Sequence, residues 1–374
     1  MTRSRFSPMD RRRLDVRLLI ASLAVVVAVV FTDRAHGQSS PRVPPREIIS
    51  SNGPFNDEQR AVVKAYAEFY AARLADPKAT PDVVEDARNR LLQPLERLNS
   101  PTPYFRFEYA GFIVPTLEPV LKDGSMHSAI NAARVLGDLG SPRAVTALLA
   151  ASEPGGKPDR WQVRQRAADG VRNNIQLGVL DARTVNETAR RLMDSLRNEN
   201  NNTILKYKLE AIAVATEQTN LGPGEAEKLR EQFVTAIVST VDRVQSGADA
   251  PSPIIKAVYE SVVRVRNMYI GGSLTVAEQK KIGEKLGPAL GQILVIANTH
   301  WQAAQANEET ARLYGNLVQV CEEFLKRIDG YVRGPDQSPK TQLQSAWTGK
   351  QKDQFDTDAK QWTDVLSKAP YKAG

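Results

Sequence analysis

Apolar residues along this chain recur at intervals of three and four, the spacing of helices with one buried face, and strand-like alternation is hard to find. In residues 56–75, Val62, Val63, Tyr66, Phe69, Tyr70 and Leu74 share a stripe behind an Asn56…Gln59 capping pattern. A second helix is predicted to open at Thr80-Pro81 and run toward Leu92, where Pro94 interrupts it.

The stretch INAARVLGDLGSPRAVTALLAA places two short amphipathic stripes around a Gly-Ser-Pro joint. Ala129, Ala132, Ala133, Leu136 and Leu139 form the first stripe, with small residues that let a neighbouring helix come close; Val145, Leu148 and Leu149 form the second. Between them Gly140 suits a left-handed helix end, Ser141 an N-cap and Pro142 the first helical position, so the chain is predicted to fold back on itself.

The plan recurs. DRWQVRQRAADGVRNN repeats it with Ala167 and Ala168, and its second helix is predicted from a Thr184…Glu187 capping box to Leu196. A third pair follows across Gly222 and Gly224, a fourth carries a Thr275…Glu278 box, and one more helix covers about Glu308 to Ile328. Intervals of roughly 35 to 50 residues are those of helix-pair repeat arrays. Upstream, Tyr104, Phe105, Phe107, Tyr109 and Phe112 gather aromatic bulk, read as a cover for the open end of a stack in preference to a binding platform.

INAARVLGDLGSPRAVTALLAA and DRWQVRQRAADGV resemble HEAT repeats. The matching positions are Asp159, Val163, Arg164, Ala167, Ala168 and Val171 in one unit, and Ala132, Ala133, Leu136, Gly137, Gly140 and Pro142 in the other. Ser128-Ala129 stands where Val-Arg would fall, and Gly170 with Asn173-Asn174 is expected to loosen the second unit. Good matches cover about 70 residues. The resemblance implies an all-α solenoid of stacked antiparallel helix pairs, less regular toward the C-terminus, serving as a protein-binding scaffold.

The N-terminus has a different pattern. Arginines precede an unbroken apolar run over residues 18–31, with Ala35 and Gly37 at the −3 and −1 positions of a signal peptide. About 14 helical residues span roughly 21 Å, short of a bilayer core of about 30 Å, so cleaved export to the periplasm or medium is expected. The alternative is an uncleaved anchor in the inner membrane; the membrane is a partner only in that case. The division expected is a signal peptide (1–37), a Pro-rich linker (38–54), a helical capping region (55–122), HEAT-like repeats (123–330) and a polar tail with a short helix (331–374), read as folding back over the array's end in preference to docking a partner's groove.

Composition adds limits. The formal charge is +7, but residues 1–37 carry seven arginines against three aspartates, so the body is near neutral and nucleic acid is not an expected partner. Cys321 is the only cysteine and reads as a buried small hydrophobe, while His127 and His300 are the only histidines after the leader, leaving no cysteine-based metal cluster. No phosphate-binding glycine loop, nucleophile elbow or facing carboxylate pair is found, so neither a cofactor nor catalysis is expected. Gly283, Gly287 and Gly291 recur every four residues and imply close helix packing.

Arginines cluster between positions 160 and 197 among acidic neighbours. Arg160, Trp161, Arg164 and Arg166 are the candidate contacts for another protein. Two other readings stand beside the scaffold: a tethered envelope protein gripping an anionic polymer or acidic ligand through these arginines, and an enzyme of unrecognised class.

Overall fold

The structure, a computed structural model, describes residues 40–154, 160–246, 252–272, 274–334 and 336–371. The predicted leader lies outside the described residues. Residues Val43–Gly374 form one compact unit.

The described residues are all-helical, with no strand among them. In chain order the helices are α1 (Arg46–Ile49), α2 (Asp57–Ala75), α3 (Pro81–Leu92), α4 (Pro103–Asp123), α5 (Met126–Gly137), α6 (Pro142–Ser152), α7 (Trp161–Gln176) and α8 (Ala182–Leu196). They continue as α9 (Asn202–Thr216), α10 (Pro223–Ser246), α11 (Ser252–Ile270), α12 (Val276–Thr299), α13 (Trp301–Gln305), α14 (Glu308–Val332), α15 (Leu343–Thr348) and α16 (Lys352–Leu366). Both capping boxes expected at Asn56…Gln59 and Thr275…Glu278 are present.

Two successions of contact run through the unit. In one, α3, α5, α7, α9, α11 and α14 each pack on the one before; in the other, α2, α4, α6, α8, α10, α12 and α16 do so. Contacts between chain neighbours, such as α4 with α5 and α9 with α10, join the two rows. Most of the stripe positions read from the sequence are buried, with Ala132, Ala133, Leu136, Leu148, Ala167 and Val171 fully so, but Val62 of the first stripe is exposed on α2. The aromatic run before α5 is mostly core as well, with Phe105 stacked on Tyr109 at 5.2 Å, although Phe107 stays exposed under Arg143.

The joint between α5 and α6 shows how the chain reverses inside packed protein. Gly140 takes φ +64, and Pro142 opens α6 as expected. Ser141 does not cap the helix: its hydroxyl is buried without a hydrogen-bond partner among the described residues. The joint itself is tied by Asn174 of α7, which is fully buried. Its Oδ1 accepts from the Gly140 and Ser141 N–H groups at 2.8 and 3.2 Å, and its Nδ2 reaches the carbonyls of Leu136, Gly137 and Gly170, each at 2.9 Å. From the other side Arg106 of α4 donates to the carbonyls of Asp138 and Leu139 at 2.6 and 3.3 Å. The expectation that Asn173-Asn174 loosens this unit is therefore corrected for Asn174, because its amide satisfies backbone groups that water cannot reach. The next joint repeats the device: Gly178 has φ +68, and Asn220 donates to the Leu180 carbonyl at 2.7 Å.

Two boundaries differ from the sequence reading. α8 starts one turn earlier than Thr184, because Asp181 is the N-cap and accepts from the Thr184 N–H at 2.8 Å. The 38–54 stretch is not wholly linker: Ile48 and Ile49 of α1 are buried, and Thr102 ties to it through the carbonyls of Ile49 and Ser51.

The C-terminal segment folds back, as expected, and is part of the core. Phe355 and Trp362 are fully buried, and the Trp362 indole donates to Thr341 Oγ1 at 3.0 Å. The glycine series of α12 permits this. A Cβ at Gly291 would lie 2.6 Å from Leu366 Cδ1, one at Gly287 3.0 Å from Tyr371 Cε1, and one at Gly283 2.9 Å from Ile328 Cγ2.

Two outcomes follow for stability. Asn174→Ala leaves buried N–H and C=O groups unsatisfied and should cost about 3 kcal/mol in urea denaturation. Gly291→Leu forces a bulky side chain against Leu366 and should cost about 1–3 kcal/mol, with limited proteolysis cutting the C-terminal segment first.

Candidate functional site

α7 carries all the partner contacts expected from the sequence except Arg160, which immediately precedes it, yet the structure distributes them over different surroundings. Positions two apart on a helix point to nearly opposite sides. Arg160 and Arg164 line a groove of about 960 Å³, whereas Arg166 lines a separate pocket of about 330 Å³ with Arg88 and Arg134. Trp161 is 39% exposed and lines neither.

The groove lies between α4, α6 and the start of α7. Pro115, Pro119, Leu121, Ala147, Ala150 and Val163 contribute its apolar lining, and Glu118, Lys122, Asp123 and Glu153 add charge to it. Pro115 and Pro119 are exposed one turn apart inside α4. Proline has no N–H, so neither residue donates the i→i−4 helical bond to the carbonyls of Gly111 and Pro115. A groove of small apolar side chains edged by charged ones accommodates a segment that brings both apolar and polar groups. The sequence reading missed these prolines, although two prolines at four-residue spacing within an apolar helix were a visible signal.

Arg160 and Arg164 are both engaged within the fold. Arg160 donates to the Lys122 carbonyl and, at 3.0 Å, to the Gly124 carbonyl, closing the C-terminal end of α4. Arg164 pairs with Glu199 at 2.5 Å. Glu199 lies in the connection before α9, is fully buried, and also accepts from Lys208 at 2.8 Å and the Asn201 N–H at 3.0 Å. Burial pushes the Glu199 carboxyl up, but the hydrogen bonds from Lys208, Asn201 and Arg164 outweigh it and hold the group below the ordinary carboxylate range. Burial holds Lys208 below the ordinary lysine value, against the pull of Glu199. Lys208 also reaches Ser195 Oγ at 2.5 Å. Through Arg164, Ser195, Glu199 and Lys208 this cluster ties α7, α8 and α9 together.

The other titratable groups singled out in the sequence have structural surroundings. Cys321 is fully buried, and burial pushes its thiol far up. His127 meets Glu85 at 4.0 Å and Asn131 at 3.3 Å, and His300 ends α12. Glu322 accepts from Lys326 and Thr341 at 2.9 and 2.8 Å. Among the described residues no group of three or more His, Cys, Asp and Glu side chains is placed to hold a metal ion, and no helix is long and apolar enough to cross a membrane. In comparisons with known proteins, no protein-family model and no curated protein matches this chain.

Proposed function

We propose that this chain is an exported, HEAT-like helical-repeat scaffold that binds another protein without catalysing a reaction. The observation that carries this reading is the groove between α4 and α6, where the exposed Pro115 and Pro119 lie beside small apolar side chains with charged residues around them. The two successions of packed helices support the repeat reading: each helix buries its stripe against a neighbour in its own row as well as across rows, the economy of a stacked array. Export rests on the apolar run over residues 18–31 and the small residues Ala35 and Gly37.

In this reading the partner supplies an extended or helical segment whose apolar side chains cover Ala147 and Ala150. Its polar groups meet the charged lining. Arg160 and Arg164 shape the groove through their bonds to α4 and Glu199, and the exposed Trp161 lies at the start of the same helix. A long contact surface assembled from several helices is how repeat proteins recognise partners that a single pocket would not hold.

Ala150 is exposed on α6, so Ala150→Arg should leave helical content and melting behaviour unchanged. A photo-crosslinking residue at position 150 of the full chain, expressed in its own envelope, should give one discrete protein adduct. A crosslinker at the exposed Leu98 should not. Ala150→Arg, with the crosslinker moved to position 118, should weaken that adduct about tenfold or more. No adduct at 150, or equal adducts at 150 and 98, would refute groove binding. The mass of the exported chain should correspond to a start at Gln38, and an unprocessed N-terminus would refute cleavage.

A further inference from the structure

Along much of the α7–α9–α11 row, arginines are answered by carboxylates. Arg172 meets Glu210 at 2.8 Å, Arg264 meets Glu217 at 2.6 Å, and Arg266 meets Glu323 at 3.1 Å. At the α3–α5–α7 end the pattern breaks. Arg88, Arg134 and Arg166, one from each of three successive helices, line a single pocket of about 330 Å³.

None of the three has a carboxylate to itself. Arg88 donates to neutral amides, Asn131 Oδ1 at 2.7 Å and Asn89 Oδ1 at 2.9 Å. Arg166 meets Asp169 at 2.8 Å, but Asp169 also holds Arg172 at 2.5 Å. Arg134 is exposed and makes no hydrogen bond or ion pair with a described residue; Glu85 is the acidic group whose charge acts on it. Asp138 also lines the pocket, and burial raises its carboxyl above the ordinary range while Arg106 pulls it down.

The pocket has room because of its glycines. A Cβ on Gly137 would lie 3.0 Å from Gly170 Cα, so α5 and α7 meet backbone to backbone and no side chain grows from this part of the lining. Burial, and then the charges of Arg166 and Arg88, push the Arg134 guanidinium below its ordinary value. Like-charged groups held together in this way gain from a shared anion, and the guanidinium fork matches the oxygens of a carboxylate or phosphate.

We propose that the pocket between α3, α5 and α7 binds an oxyanion, gripped by Arg134 with Arg88 and Arg166 on either side. The group is a carboxylate on an acidic peptide segment or a free phosphate, which share this chemistry. The inference goes beyond the scaffold reading and stands without it, since Arg166 and Arg164 place the pocket and the groove on different sides of α7.

The test is calorimetric titration of the full chain at low ionic strength, with inorganic phosphate in one arm and a hexaglutamate peptide in the other. Saturable binding of at least one probe is expected. Arg134→Gln removes a side chain with no hydrogen bond or ion pair to a described residue, so the fold should persist by circular dichroism. It should weaken binding about tenfold, the loss of a charge-assisted hydrogen bond. Arg197→Gln, at the exposed end of α8, makes the same change of net charge and should leave binding intact. Peptide binding that depends on Arg134 identifies a side-chain carboxylate as the source, and phosphate binding alone identifies the free ion. No saturable heat in either arm, or equal weakening in both variants, would overturn the proposal.

Discussion

The constraint on which the structure depends is that the chain must reverse inside packed protein without leaving backbone polar groups dry. Short helices with small-residue stripes can stack closely only if the joints between them are also buried, and a buried joint exposes N–H and C=O groups that water would otherwise satisfy. Between α5 and α6 the solution comes from the neighbours. Asn174 of α7 serves both backbone N–H groups and three carbonyls, and Arg106 of α4 serves two carbonyls more. This joint is therefore completed by the helices that follow and precede it, which ties α4, α5 and α7 together by hydrogen bonds as well as by apolar contact. Asn220 at the Leu180 carbonyl shows the same logic one unit later.

Close approach then determines where open space remains. Gly137 and Gly170 bring α5 and α7 together backbone to backbone, and with no side chain to fill it the adjoining volume becomes a pocket edged by arginines. On the other row, prolines in α4 and alanines in α6 leave a shallow apolar channel. At the far end the glycines of α12 receive Leu366 and Tyr371, so the same residue choice that opens a pocket in one place admits the returning chain in another. Whether a small residue yields a cavity or a contact depends on what the rest of the chain brings to it.

Much of the fold was legible in the sequence because helical periodicity and capping chemistry are local. The stripes at Ala132, Leu136, Ala167 and Val171, the boxes at Asn56 and Thr275, Gly140 in the left-handed region and Pro142 at the first helical position all follow from residues within a turn or two of each other. The errors came from a better cap a few residues away in one case and from a distant group in another. Ser141 keeps the N-cap position but its hydroxyl makes no cap bond, while the distant Asn174 ties the joint, and Asp181 caps α8 in place of the nearby Thr184. Of the candidate partner contacts, Arg160 and Arg164 do line the groove, but the residues they bond, Lys122, Gly124 and Glu199, lie between 35 and 38 residues away and gave no local sign.

By itself, then, the sequence determined that this protein is helical, where most helices begin and end, and which faces they bury, because those properties follow from backbone hydrogen bonding and a 3.6-residue period. Tertiary structure alone decided which arginines are paired and which are left without a carboxylate, and that Asn174 is a buried tie and not a source of looseness. Charge pairing and burial depend on distances between residues far apart in the chain, and those distances exist only once the helices are stacked.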